Sequence, residues 1–132
     1  MTPQLTYLGW LVVLALVQLF LTSTAVTRQY GLKWNAGARD EALPPLNPLA
    51  GRLRRAQDNL METLPLFAAA VLIAHAAGRD GVLSLWGCRL YVWGRVIYVP
   101  LYAFGVPYVR SLVWVASLIG LLLVLFAILG PA

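Results

Sequence analysis

Hydrophobic residues run almost without interruption through four stretches of the chain, and shorter segments rich in polar residues, glycine and proline separate them. The stretches cover residues 5–26, 60–77, 83–104 and 109–129. Because about 20 mostly apolar residues allow an α-helix to cross a bilayer, each stretch has about the length of a membrane span. The pattern predicts an all-α integral membrane protein, with residues 1–132 forming one bundle of four transmembrane helices.

The first stretch has a competing interpretation as a secretory signal peptide. Ser23, Thr24 and Ala25 supply the small residues that a cleavage site requires. However, no Lys or Arg precedes the stretch, and its apolar run is longer than the core of a typical signal peptide. These two features favour a permanent first span.

Composition and charge support a membrane location. The 132-residue chain is 61% hydrophobic and 11% charged, which lies outside the range of ordinary soluble domains. Its net charge of +5 comes mainly from basic residues in segment 27–56 and beside the turn 105–109. Because Lys and Arg are enriched in cytoplasmic loops, both segments are predicted to be cytoplasmic. This orientation accounts for the positive charge without a nucleic-acid partner.

The sequence gives little support for a disulfide or a metal site formed by the protein's own side chains. The chain has one cysteine, Cys88, and one histidine, His75. A single cysteine excludes an intrachain disulfide, and one cysteine with one histidine provides too few ligands for a typical zinc site. We therefore expect no metal centre.

Polar side chains interrupt two of the helical stretches, and in each they fall on one face. The first stripe belongs to the second predicted helix and consists of Arg52, Arg55, Asn59 and Glu62. The second stripe belongs to the third helix and consists of Tyr91, Arg95, Tyr98 and Tyr102. Steps of three and four residues keep side chains on one face of a helix with about 3.6 residues per turn. We expect the two stripes to face each other and to form a pocket.

Two interpretations of this pocket remain open. In one, the polar groups only satisfy one another and hold the helices together. In the other, they bind a ligand, because an ionisable residue in a membrane span is costly and marks a functional site. Positive charge is in excess here, since the acids Asp58 and Glu62 are outnumbered by Arg52, Arg55, Arg95 and Arg110. That excess favours an anion with carboxylate or phosphate groups.

Residues 52–67 read R-L-R-R-A-Q-D-N-L-M-E-T-L-P-L-F and resemble the signature of the MAPEG family, membrane-associated proteins in eicosanoid and glutathione metabolism. The family pattern, R-x-x-R-A-x-x-N-x-x-E-x-x-P-x-F, matches at every fixed position. The similarity extends to the four-helix layout, to Arg95, Tyr98 and Tyr102, and to Arg110 and Ser111. The short connections resemble a bacterial branch of the family, which implies a location in the bacterial inner membrane.

The resemblance implies a homotrimer that holds glutathione between adjacent subunits, with a hydrophobic second substrate entering from the lipid bilayer. Arg110 would stabilise the glutathione thiolate, because a neighbouring guanidinium favours the ionised sulfur. Ser111 would donate a hydrogen bond to the same sulfur, or it is simply a polar residue at the start of a helix. The glutathione-binding residues implied by the resemblance are Arg52, Arg55, Gln57, Asn59, Glu62, Arg95, Tyr98 and Tyr102.

Together these features predict a membrane-bound, glutathione-dependent transferase or peroxidase that acts on hydrophobic electrophiles or lipid hydroperoxides. The alternative is a non-catalytic member that binds and presents lipids, or a structural subunit of a membrane complex. One segment, residues 35–49, has two possible roles, since its prolines fit either a lid over the pocket or an extended strap.

Overall fold

The computed structural model describes residues 1–131, which form five helices and, within that range, no strand. The helices are α1 (Pro3–Tyr30), α2 (Leu32–Ala36), α3 (Pro48–Ala76), α4 (Val82–Ala103) and α5 (Val109–Leu129). Three of them, α1, α3 and α5, are long and apolar enough to cross a membrane. The helical architecture is therefore that of an integral membrane protein.

Two of the long helices begin at side-chain caps that are readable in the sequence. The Thr2 hydroxyl accepts a hydrogen bond from the Leu5 amide at 3.2 Å, and Pro3 follows it as the first residue of α1. The Asn47 side chain accepts from the Ala50 amide at 2.8 Å, and Pro48 starts α3. Thr and Asn satisfy free amide groups at a helix start, and proline suits the first helical position. As a result, α3 begins twelve residues before the apolar stretch that starts at residue 60, and Arg52 and Arg55 lie within the helix.

Hydrogen bonds between helix ends define an antiparallel bundle. At one end, Gln4 Nε2 donates to the Gly81 carbonyl at 3.1 Å, which joins the start of α1 to the α3–α4 connection. At the other end, Arg52 Nε donates to the Ala103 carbonyl at 3.0 Å, which joins the start of α3 to the end of α4. Segment 31–47 and the turn 104–108 both lie at this second end, which we call the basic end.

The interior of the bundle is a narrow apolar core between the long helices. The rings of Phe67 from α3 and Tyr91 from α4 stack with their centroids 4.0 Å apart, and Leu11, Leu60 and Val124 are fully buried around them. Large apolar side chains also cover the outside of the bundle, especially along α1 and α5. Such a surface suits hydrocarbon chains and would aggregate in water.

The closest helix contact is between α4 and α5, where Gly87 faces Gly120. A Cβ atom added to either glycine would lie 2.6 Å from the carbonyl oxygen of the other. Small residues allow helix backbones in a membrane to approach closely. This contact fixes the relation between α4 and α5, the two helices that the turn 104–108 connects.

The Gly120→Ala variant is expected to lower the free energy of unfolding by about 1–3 kcal/mol, because the added methyl forces the two backbones apart. Thermal unfolding in detergent measures this effect. Gly9→Ala is the matched control, since a Cβ at Gly9 meets nothing within 4 Å. Equal stability of the two variants would show that the glycine contact does not hold α4 against α5.

Candidate functional site

The two polar stripes meet along the contact between α3 and α4. Arg95 Nη1 donates to Asn59 Oδ1 at 2.8 Å, and Arg55 Nε donates to the Tyr102 hydroxyl at 3.1 Å. Further from the basic end, the hydroxyls of Thr63 and Tyr91 are 2.7 Å apart and share a hydrogen bond. Three polar contacts therefore link the helices at successive levels.

An open cleft of about 280 Å³ lies at the basic end of this contact. We call it the arginine cleft, because Arg52, Arg55 and Arg110 line it together with Tyr102 and the turn 105–107. The guanidinium of Arg110 lies 4.7 Å from the centroid of the Tyr102 ring, and that of Arg55 lies 5.8 Å from it. No carboxylate from residues 1–131 lines the cleft. Three cations without an acidic partner form a site for an anion.

The backbone before α5 places Arg110 in the cleft. Tyr108, the residue that precedes α5, has a φ of 47°, a left-handed value that is uncommon for a bulky residue. Gly105 has a φ of 69° and lets the turn pass beside Arg52. Arg110 is the second residue of α5, where the helix dipole disfavours a cation. Helix stability therefore does not explain why an arginine occupies this position. The contact with the Tyr102 ring stabilises the Arg110 guanidinium there.

Arg95 lies deeper along the same helix contact and is almost completely buried, with 1% of its surface exposed. Asn59 is its hydrogen-bond partner, and the Tyr98 ring centroid lies 4.4 Å from its guanidinium carbon. Within residues 1–131, its Nε and Nη2 groups have no hydrogen-bond acceptor. A buried cation with unsatisfied donors is energetically costly unless another group compensates it. Within residues 1–131, Arg95 therefore has two donors that no acceptor uses, and both are shielded from solvent.

Six of the ten residues proposed from the sequence do not line the arginine cleft. Asn59, Arg95 and Tyr98 lie deeper along the α3–α4 contact, and the other three lie elsewhere. Ser111 is exposed on α5, and Glu62 is exposed on α3. Glu62 is a charged neighbour of Arg95, although these two residues form no salt bridge in the described part of the chain. Gln57 points to another face of α3 and lines a separate pocket of about 250 Å³.

This second pocket, which we call the Gln57 pocket, is also basic and polar. It lies between α1, α2 and α3, and Arg39 and Arg54 are its charged residues. The Arg39 guanidinium is held 4.5 Å from the Trp34 ring centroid and donates to the Asn35 carbonyl at 3.1 Å. The arginine cleft and the Gln57 pocket share no residue.

Segment 35–49 is fastened to the end of α1 and does not line the arginine cleft. The Tyr30 hydroxyl donates to the Pro44 carbonyl at 2.6 Å, and Gln29 Nε2 donates to the Pro45 carbonyl at 2.9 Å. The Asn47 amide in turn donates to Gln29 Oε1 at 2.7 Å. Of the two roles considered for the segment, these bonds match a strap that leads the chain from α1 to α3.

Sequence reasoning missed two features of the site. Thr63 lies four residues after Asn59, so the spacing of the α3 stripe already placed it on that face. The pairing of Arg39 with Trp34 had no such signal, because it depends on the left-handed φ of 62° at Arg39. The place of Thr63 was therefore predictable from the sequence, whereas the contact between Arg39 and Trp34 was not.

The family model described as "MAPEG family" matches residues 7–130. No curated protein and no solved structure gave a match to the chain. The matched range includes both polar stripes, the arginine cleft, all of α3 and α5, and α1 from residue 7 onward. The chain is an integral membrane protein and belongs to the MAPEG family.

Proposed function

We propose that this protein is a bacterial-type, membrane-bound enzyme that uses glutathione to conjugate hydrophobic electrophiles or to reduce lipid hydroperoxides. The observation that carries the proposal is the arginine cleft, in which Arg52, Arg55 and Arg110 converge and to which no acidic residue of the described range 1–131 contributes. Family membership supports the same class of function. In this proposal α4 is the fourth span, and the basic end faces the cytoplasm.

The charges along the α3–α4 contact suit the ends of glutathione. The tripeptide has two carboxylates, and arginine binds carboxylates in a bidentate manner. Arg95 lies seven residues before Tyr102 on α4, which corresponds to about 10 Å along a helix axis. An extended tripeptide has about the same length. One carboxylate would bind in the arginine cleft and the other would approach the free donors of Arg95.

The ammonium group of glutathione needs an acidic partner, and Glu62 is the residue we propose. Glu62 lies on the same face of α3 as Arg55 and is exposed there, because seven residues make nearly two helical turns. It has no salt bridge within residues 1–131. An exposed carboxylate on the face of α3 that also carries Arg55 is available to the ammonium.

A homotrimer would explain the position of Gln57. Gln57 is two residues from both Arg55 and Asn59, so it lies on the opposite side of α3 and cannot join their cleft within one subunit. If glutathione binds between subunits, the Gln57 pocket of one subunit can complete the arginine cleft of the next. Two basic half-sites on opposite faces of one helix support such an arrangement.

In the proposed mechanism, Arg110 stabilises the negatively charged sulfur. A free thiol with a pKa of about 8.5 is mostly protonated at neutral pH, and an adjacent guanidinium favours the thiolate. In conjugation, the sulfur forms a bond to an electrophilic carbon while the leaving group departs with its electron pair. In peroxide reduction, the thiolate attacks one peroxide oxygen and the O–O bond breaks, so that the sulfur becomes a sulfenic acid and the alkoxide takes up a proton and leaves as the alcohol. A second glutathione then attacks the sulfenic sulfur, which gives the disulfide and water. The hydrophobic substrate would reach the sulfur from the bilayer.

A specific surface favours the second candidate function, a protein that binds and presents lipids without catalysis. An apolar groove of about 380 Å³ lies between α1 and α4 and opens to the outside of the bundle. Trp10 and Trp93 line it together with aliphatic side chains. This groove would accept a lipid tail whether or not the arginine cleft binds glutathione.

The test of the proposed function is turnover by the purified protein in lipid nanodiscs. Glutathione is supplied with a chromogenic aryl halide in one assay and with cumene hydroperoxide in the other, and empty nanodiscs give the uncatalysed rate. The proposal predicts a rate in at least one assay that saturates with glutathione. An assembled protein without activity in either assay would favour lipid presentation.

A further inference from the structure

A fourth cavity, an open groove, lies on the outer side of α1. Its volume is about 450 Å³, and its apolar walls come from α1 and the beginning of α3. The apolar residues are Val17, Phe20, Leu21, Leu49 and Leu53. It shares no residue with the arginine cleft or with the Gln57 pocket. We call it the Arg28 groove, because that residue lies at its polar end.

The polar end of the groove carries a positive charge that no acidic residue neutralises. Arg28 is exposed and forms no salt bridge within the described range 1–131. Thr24 lines the groove beside it. Thr27, which also lines the Gln57 pocket, lines an adjoining depression together with Arg28. Thr27 Oγ1 accepts a hydrogen bond from Asn35 Nδ2 at 2.7 Å, which leaves its hydroxyl hydrogen free to donate. A guanidinium beside hydroxyl donors is suited to phosphate.

The length of the groove matches one leaflet of a bilayer. Val17 and Arg28 are its first and last residues on α1, and eleven residues of helix rise by about 16 Å. The hydrocarbon core of a bilayer is about 30 Å thick, so one leaflet is about half of that. Arg28 would therefore lie at the level of the lipid headgroups when the apolar part of the groove lies among acyl chains.

We propose that the Arg28 groove binds an anionic phospholipid of the surrounding leaflet. One acyl chain lies against the apolar walls, and the phosphate binds Arg28 and the hydroxyls of Thr24 and Thr27. Juxtamembrane basic residues attract anionic lipids, and the groove adds a surface for the chain. This proposal does not depend on glutathione or on catalysis.

The test measures which lipid the protein retains. The protein is reconstituted in nanodiscs that contain equal amounts of phosphatidylglycerol and phosphatidylcholine with identical acyl chains, and native mass spectrometry then counts the lipids that remain bound. We expect retention of phosphatidylglycerol over phosphatidylcholine. The Arg28→Gln variant should reduce this preference about fivefold, the effect of losing one basic residue near the headgroups, and Arg28→Lys should preserve most of it.

Lys33→Gln is the matched control, because Lys33 is an exposed basic residue at the same end of the bundle and lines none of the grooves described. The proposal requires that this variant keep the preference. Equal loss in both Gln variants would indicate a general charge effect and overturn it. Complete displacement of phosphatidylglycerol by oleate would overturn the assignment to phosphate in favour of a carboxylate. Retention of neither lipid would also overturn it and would indicate that a second copy of the chain covers the groove.

Discussion

Replacing Arg110 by alanine is expected to lower kcat/KM for glutathione conjugation by about 100–1000-fold, the usual effect of removing one group that stabilises a developing or formed anion. Arg110 is the α5 side chain that lines the arginine cleft. Without its guanidinium, more of the bound glutathione stays in the unreactive thiol form. The loss should therefore fall mainly on kcat, with a smaller change in KM.

The structure also predicts that Arg110→Ala leaves the protein folded. A cation in the first turn of a helix opposes the helix dipole, so its removal should change the stability of α5 by no more than about 1 kcal/mol. Size-exclusion chromatography and thermal unfolding in detergent check this expectation. Arg89→Ala is the matched control, because Arg89 also lies over an aromatic ring, Trp86 at 4.9 Å, but at the other end of α4. Full activity of Arg110→Ala, or equal losses in both variants, would contradict the proposed role.

Replacing Arg95 by methionine is expected to weaken glutathione binding by roughly 30-fold or more, since truncating one partner of a buried charged pair costs about 2–5 kcal/mol. The same substitution should leave the unfolding temperature unchanged or raise it. The reason is that a buried guanidinium with a single hydrogen bond, to Asn59, recovers little of its desolvation cost, and an apolar side chain of similar length avoids that cost.

The direction of the stability change separates the two interpretations of the polar stripes. If Arg95 only holds α3 and α4 together, Arg95→Met should lower the unfolding temperature and weaken binding at the same time. Tyr91→Phe is the control for a purely structural contact, because it removes the hydrogen bond to Thr63 and retains the ring that stacks on Phe67. That variant should lose about 1 kcal/mol of stability and bind glutathione normally.

The faces of α3 and α4 were predictable because helical periodicity is a local property of the sequence. Residues spaced by three and four must share a face, and the bonds from Arg95 to Asn59 and from Arg55 to Tyr102 join the two stripes in that way. The start of α3 was less visible. Hydropathy detects the part of a helix that lies in lipid, whereas half of residues 48–59 are charged or amide residues. The cap formed by Asn47 and Pro48 was the local signal for that start.

The shape of the site depended on features that the sequence does not encode locally. Arg110 reaches Tyr102 because Tyr108 adopts a φ of 47°, and a left-handed tyrosine is not predictable from composition or spacing. Gln57 is the opposite case. Its spacing from Arg55 already placed it on another face of α3, while the family resemblance grouped the two residues in one site. In the proposed function, a second subunit brings Gln57 and Arg55 into one site.

The central claim is that the arginine cleft binds glutathione, and isothermal calorimetry on the assembled protein in nanodiscs tests it most directly. Glutathione diethyl ester, in which both carboxylates are masked, is the matched ligand, and Glu62→Gln is the matched variant. We expect saturable binding of glutathione, weaker binding to Glu62→Gln, and no detectable binding of the diester. Absence of glutathione binding by a correctly assembled protein, or equal binding of the diester, would contradict the account.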